Sequence, residues 1–399
     1  MTENQDWRAS LTASERYDNV EKIQKAIAGL GPSGLLSPTP KDAFTVENEA
    51  YKNAASRREY EDACTLSPVL GARPDAQEAS SPPFAATGVP DVDDEPGVRI
   101  GPYEDCHYVA SGVTAEVYRC KHRALKVITE SRGIEPHNPF REAKILAELK
   151  KPCIQLLETF RDQEQRFTLV FPYMPLTLAA LVDKGSSLTD AQLRTIFTDM
   201  FAALAHIHDK GIIHRDIKPS ALLLASTSGP AYLSDFGIAW HPRLSESSEP
   251  AAAKILDIGT GPYRAPEVLF GDRAYGPAVD MWGAGTTLAE CARRTGGPAR
   301  PLFESRAAHE DGNQLGLILS IFKTLGTPTP GTWPEAAAFR TPPFEMYAVF
   351  EGRPWEDVLP DVQSEWRELV ARLVRYESGS RATAEQALQH GCFKNRPSG

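Results

Sequence analysis

Beyond about Val98 the apolar residues recur first at every second position in short runs, and further along at every third and fourth position in long ones. The short runs, rich in β-branched and aromatic residues, predict strands over Tyr108–Val109, Glu116–Cys120, Ala124–Ile128, Leu156–Thr159 and Phe167–Phe171. A helix over Asn138–Leu149 is predicted among them. The long runs predict helices over Ala191–Asp209, Pro277–Arg294, Leu315–Thr324, Val362–Val374 and Ala384–Leu388. Strands that precede helices rather than alternating with them describe an α+β chain, with a small β-rich lobe followed by a larger helical lobe.

The first hundred residues follow a different pattern. Two stretches, Leu11–Leu30 and Thr45–Cys64, have helical character and are separated by GPSGLLSPTP, whose Gly, Pro and Ser break regular structure. In and just before the first, Trp7, Tyr17, Val20, Ile23, Ile27 and Leu30 recur near helical spacing, the mark of an apolar face packed on the following domain or on a partner. Residues 67–99, which include SSPPF and DVDDEP, hold too little apolar surface to offset ordering entropy and read as a disordered linker. The predicted organisation is an N-terminal extension over 1–66, the linker over 67–99, and one domain over 100–395, its small lobe at about 100–173 and its large lobe at about 174–395.

Composition narrows the class. With 41% hydrophobic and 24% charged residues the chain is neither fibrous nor wholly disordered. Its 43 basic against 53 acidic residues, with no strongly basic stretch, argue against nucleic acid as a direct partner. Six cysteines, at 64, 106, 120, 153, 291 and 392, form no CxxC pair and no metal-ligand spacing, so reduced thiols in an intracellular compartment are expected. The opening MTENQDWRAS lacks the basic-then-apolar pattern of a signal peptide, and no long uncharged apolar run could span a bilayer. A soluble protein of the cytoplasm, the nucleus or both is expected.

The chemistry-bearing motifs follow one another in a fixed order. IIHRDIKPSALLL, residues 212–224, is followed closely by YLSDFGIAW, residues 232–240. Phosphoryl transfer needs one carboxylate to orient and deprotonate the attacking hydroxyl and another to hold magnesium against the β and γ oxygens, and Asp216 and Asp235 suit these roles. Lys218, two residues past the first, would spread the charge developing on the transferred group. A lone loop Asp is more often a turn or cap residue, but two motifs at the right spacing set that reading aside. Upstream, ALKVI places Lys126 on a strand and PFREAKILAEL places Glu142 on a helix, the two halves of a phosphate-positioning ion pair. The turn before them, VASGVTAEVY, keeps Gly112 and Val117 of the pattern GxGxxGxV but has Ala110 and Ala115 at the other two glycine positions, which predicts a stiffer loop. Downstream lie GTGPYRAPE at 259–267, Asp280 in DMWGAG and Arg381 in SGSRATAEQAL.

Together these motifs span residues 108–393 and resemble the eukaryotic protein kinases, and within them the cyclin-dependent kinase group. The subgroup signs are Arg264 before APE, the stretch IFKTLGTPTPGTWPE at 321–335, and Arg141 beside Glu142. The resemblance implies a bilobal protein kinase fold, ATP and Mg2+ as cofactors, and a serine or threonine of another protein as acceptor. It implies Asp216, Lys218 and Arg215 as the catalytic set and Asp235 as the metal ligand. Val109, Gly112, Val117, Lys126, Glu142, Tyr173 and Met174 are implied around the nucleotide, with Phe171 at its back and Asp280 and Arg381 bracing the loops. Many members of the group carry a phosphorylated threonine, paired with the catalytic-loop arginine, where this chain has Ile255; Asp257 and Glu249 are the two carboxylates that could serve Arg215 instead. The inhibitory Thr–Tyr pair of the glycine loop is replaced by Val113 and Thr114, so a tyrosine switch is absent. Reduced glycine loops and unphosphorylated activation segments are features of the single-subunit fungal kinases that phosphorylate the activation loops of cyclin-dependent kinases, and the chain is similar to these. A monomer with such a kinase as protein substrate is implied. The residues EPHNP before Arg141 differ from the usual cyclin-binding run, so no cyclin is implied with it.

One departure cuts against catalysis. Ala221 stands where the family has an asparagine that binds a second magnesium and orients the catalytic aspartate. Losing one preorganised contact of this kind costs about 10²- to 10³-fold in rate. The alternative reading is a pseudokinase scaffold with weak or no phosphotransfer.

Overall fold

Strand β4, Arg123–Ile128, shows how the small lobe is built: Leu125 and Val127 are fully buried on one face, which turns Lys126 to the other. Leu125 and Val127 join Ile100, Cys106, Cys120 and Val170 in one core cluster, with Tyr103, Tyr118 and Phe160 packed against it. The sheet has six strands in the order β1-β2-β3-β4-β6-β5, with β1 at Val98–Ile100, β2 at Tyr103–Ser111, β3 at Ala115–Cys120, β5 at Glu158–Arg161 and β6 at Phe167–Pro172. Every pairing is antiparallel.

This computed structural model describes residues 50–51, 54, 56–66, 96–112, 114–129, 135–185, 187–294, 300–305, 314–344 and 348–394. The chain divides into two units, Met1–Ala79 with Glu304–Ile321, and Ser80–Phe303 with Phe322–Gly399. In the first unit, α1 (Arg57–Leu66) buries Tyr60, whose ring meets Tyr51 edge-on at 6.1 Å. The predicted helical stretch Leu11–Leu30 and the linker up to residue 95 lie outside the described residues.

In the second unit, α2 (Pro139–Glu148) starts sharply. Asn138 accepts from the Arg141 N–H at 2.9 Å and Pro139 occupies the first turn, where its missing N–H costs nothing. The buried positions Arg141, Glu142, Ile145 and Leu146 then form one face. The helical lobe follows with α3 (Leu178–Asp183), α4 (Asp190–Asp209), α5 (Pro266–Leu269), α6 (Ala278–Cys291), α8 (Trp355–Val358), α9 (Ser364–Leu373) and α10 (Ala384–Leu388), while α7 (Leu315–Leu325) has its residues up to Ile321 in the first unit. A reciprocal capping box between Thr189 and Gln192 opens α4. Helix α6 is buried on every side from Val279 to Cys291, so it acts as the central post of the lobe. At Gly283 a Cβ would come within 2.8 Å of the Ile217 carbonyl, so the glycine is what lets the loop carrying Asp216 lie directly on the post. Arg381 clamps Glu267 of α5 through two bonds of 2.6 and 2.7 Å, both side chains buried.

A second sheet of three short strands, β7 (Leu176–Thr177), β8 (Leu222–Leu224) and β9 (Ala231–Leu233), was not legible in the sequence, because two or three residues hold no measurable period. Among the described residues no helix is long and apolar enough to cross a membrane.

Candidate active site

The loop between α4 and β8 is hung from α6. The Asp280 carboxylate accepts the backbone N–H groups of His214 at 2.8 Å and Arg215 at 2.7 Å, and meets the His208 ring at 2.9 Å. The His214 ring donates to the Ser234 carbonyl at 2.8 Å, which ties this loop to the one carrying Asp235. Arg215 and Asp235 both have φ in the left-handed region, at 74° and 63°, a conformation that persists only where neighbouring bonds over-determine it.

Three side chains close a triangle. Lys218 Nζ lies 2.6 Å from Asp216 Oδ2 and 2.8 Å from Thr260 Oγ1, and the Thr260 hydroxyl donates to Asp216 Oδ1 at 2.7 Å. Both oxygens of Asp216 are thereby aimed, and the catalytic loop is joined to the segment that ends in GTGPYRAPE.

Between the lobes runs a cleft with a charged end and an apolar one. At the charged end Lys126 bonds both Glu142 oxygens, at 2.8 and 2.9 Å, and Asp235 at 3.3 Å. Burial opposes the charge on Lys126, but Glu142 and then Asp235 outweigh it and hold the ammonium protonated. Burial likewise opposes the charge on Asp235, yet Lys126, Lys218 and His214 hold its carboxyl down at about 2. Asp235 is depressed below its usual value of about 3.8, so its ionised form is present throughout the physiological range and is lost only as pH falls toward 2.

Of the residues predicted around the nucleotide, Val109, Val117, Lys126, Glu142, Tyr173, Met174 and Asp235 all line this cleft, with Phe171. Gly112 is not among the lining residues; its N–H donates to the Ala115 carbonyl at 2.7 Å across the turn. Thr177 and Ser220 also line the cleft and were missed. Thr177 is spent as the cap of α3, accepting from Ala180 at 3.0 Å, a Thr-then-apolar signal that could have been read. Asp235 fits a magnesium ion, being ionised and 42% exposed toward the cleft. Ala221 does not fit a second one, because its methyl group is 1% exposed and offers no ligand, and its carbonyl takes the Ser234 N–H and hydroxyl, both at 2.9 Å.

Glu249 settles which carboxylate serves Arg215. It is 1% exposed and forms an ion pair with Arg215, itself 3% exposed. The same oxygen accepts the Ile255 N–H at 2.8 Å, and the Glu249 carbonyl accepts the Trp240 indole N–H at 2.9 Å. Asp257 instead lies 3.5 Å from Arg264 with its side chain 88% exposed. Arg141, buried on α2, pairs with Glu135 at 3.3 Å and lies within the field of Glu249. Ser245, upstream, is fully buried and accepts the His241 N–H at 3.0 Å.

A β-rich lobe and a helical lobe enclosing a lysine–glutamate pair, with Asp235 lining the cleft and Asp216 held by Lys218 and Thr260, define a protein kinase. The protein kinase domain family matches residues 103–393, and the chain belongs to it. It is 34% identical over 292 residues to the serine/threonine-protein kinase csk1 of Schizosaccharomyces pombe, covering 69% of this chain and 89% of that one. It is 30% identical over 302 residues to cell division control protein 2 homolog 2 of Trypanosoma brucei brucei, covering 73% and 82%. It is 32% identical over 312 residues to cyclin-dependent kinase 7 of Xenopus laevis, covering 75% and 83%. The chain is a serine/threonine kinase of the cyclin-dependent kinase group.

Proposed function

We propose that this kinase transfers the γ-phosphoryl group of ATP to the activation-segment threonine of a cyclin-dependent kinase, acting as a monomer without a cyclin, in the cytoplasm, the nucleus or both. The observation that carries the reading is Glu249: a segment held closed by its own carboxylate lets an enzyme act without prior phosphorylation, as the first member of an activation sequence must.

In this reading Tyr173 and Met174 present backbone groups to the adenine, and Val109 and Val117 cover it. Gly112 belongs to the turn above the phosphates, and the Lys126–Glu142 pair positions the α and β phosphates. Asp216 orients the acceptor hydroxyl and takes its proton, while Lys218 spreads the charge on the transferred group. Arg215 holds the loop to the activation segment. Asp235 would hold the magnesium ion, which when bound supplies charge neutralisation at the β and γ oxygens.

The test is transfer of labelled phosphate from ATP to an unphosphorylated cyclin-dependent kinase by the bacterially expressed chain. Labelling of the substrate's activation threonine without added cyclin is expected; no labelling with any cyclin added overturns the reading in favour of a scaffold.

The scaffold alternative rests on Ala221, which makes a second prediction. One Mn2+ per chain is expected to bind with a non-hydrolysable ATP analogue, counted by electron paramagnetic resonance. Ala221→Asn is expected to add a second ion and to raise kcat about tenfold, a part of the 10²- to 10³-fold that one preorganised contact contributes.

A further inference from the structure

Lys254 immediately precedes Ile255 and is only 4% exposed, yet among the described residues no carboxylate lies within ion-pair distance of it. Burial disfavours its charge, Asp272, Glu249 and Glu246 favour it only from beyond contact distance, and the ammonium needs closer partners. Its Nζ sits 4.8 Å from the centroid of the Trp240 ring and 5.2 Å from that of Tyr275, and it donates to the carbonyls of Ala251 at 2.5 Å and Ala274 at 3.5 Å.

The same two aromatic residues reach the Glu249 centre from either side. Trp240 donates its indole N–H to the Glu249 carbonyl at 2.9 Å. The Tyr275 hydroxyl donates to the Ile255 carbonyl at 2.7 Å and accepts from Arg215 at 3.1 Å. The backbone around the lysine is tied down as well: Lys254 N–H donates to the Arg273 carbonyl at 2.9 Å, and the Arg273 guanidinium returns bonds to the Lys254 and Ala253 carbonyls at 3.0 and 3.1 Å.

We propose that Lys254, clasped between Trp240 and Tyr275, is a positioning residue for phosphoryl transfer, holding Ile255 so that its N–H stays on Glu249 and Arg215 stays in place. The ring faces add close negative potential to the longer-range field of Asp272, Glu249 and Glu246, and they do so without placing a further anion in contact that would compete with Glu249 for Arg215. A desolvated ammonium gains most from such faces, and this one is buried. The inference rests on the reading that the segment is held closed without phosphate.

Lys254→Met keeps the aliphatic stem between the rings and removes the charge, whereas Lys254→Arg keeps a cation able to stack on both rings. Both are compared with the wild type as full chains shown by mass spectrometry to carry no activation-segment phosphate. Lys254→Met is expected to lower kcat about tenfold while KM for ATP stays within about twofold, and Lys254→Arg to restore kcat to within about threefold of wild type. Amide hydrogen exchange over residues 249–255 is expected to quicken in Lys254→Met alone. Trp240→Leu, which removes one ring and leaves the lysine, is expected to lower kcat by itself and to add little in the Lys254→Met background.

Wild-type kcat in Lys254→Met overturns the proposal, as does a Lys254→Arg variant as slow as Lys254→Met whose Trp240→Leu effect adds in full. Should Lys254→Met fail to melt cooperatively, Lys254→Arg at wild-type kcat with Trp240→Leu impaired supports the clasp, and Trp240→Leu unimpaired overturns it. Glu249→Ala, measured alongside, separates the two levels. Full activity in Glu249→Ala overturns the phosphate-free reading itself, whereas an inactive Glu249→Ala beside an unimpaired Lys254→Met overturns only the clasp.

Discussion

An Asp216→Asn variant is expected to bind ATP as the wild type does and to transfer phosphate about 10³-fold more slowly, within the range that a positioned proton acceptor contributes. The substitution keeps the side chain's shape but leaves a single acceptor oxygen where the structure uses two, one toward Lys218 and one toward Thr260. Whichever way the amide turns, its NH2 group faces either the Lys218 ammonium or the Thr260 hydroxyl. Asp216 is not among the residues lining the nucleotide cleft, so KM for ATP should stay near wild type while kcat collapses. A parallel loss of nucleotide affinity, read by equilibrium binding, would show that Asp216 acts through the fold rather than on the acceptor.

Glu249→Ala should be the second most damaging change, with kcat lowered about 100-fold and the melting temperature reduced. Arg215 is left as a buried cation whose remaining side-chain partners are the Ile238 carbonyl and the Tyr275 hydroxyl, and breaking one side of such a pair costs about 3–5 kcal/mol. The Ile255 N–H loses its acceptor at the same time. The loop that carries Asp216 stays attached at the Asp280 end, so the damage falls on the join between loop and activation segment rather than on the whole lobe. Wild-type enzyme treated with phosphatase is expected to keep its activity within about twofold, because the buried Glu249 carboxylate already pairs with Arg215. A stoichiometric activation-segment phosphate whose removal abolishes activity would sink this account.

Residues whose chemistry sits in one contiguous stretch were legible in the sequence. Asp216, Lys218 and Asp235 stand at fixed offsets in short loops, whereas Lys126 and Glu142 read alone as surface charges and were picked out only by their order upstream of those motifs. Glu249 could be named only as one of two candidates, because its partner lies 34 residues away and loop contacts follow no period. The set of Trp240, Lys254 and Tyr275 left no signal at all: a lysine reads as surface charge until the fold brings two rings to it. The short strands β1 and β7 to β9 escaped for want of length, and β2 runs from Tyr103 to Ser111 where only Tyr108–Val109 was expected, because its exposed polar positions mask the alternation.

The Asn138 N–H donates to the Gly237 carbonyl at 3.0 Å, one residue before the helix that bears Glu142 and two residues after Asp235. Any rotation of the Gly237 peptide would break that bond and release the backbone of Asn138, the residue that caps the helix. A single peptide group therefore ties the position of the helix bearing Glu142 to that of the loop bearing Asp235, so that a displacement of one is felt at the other.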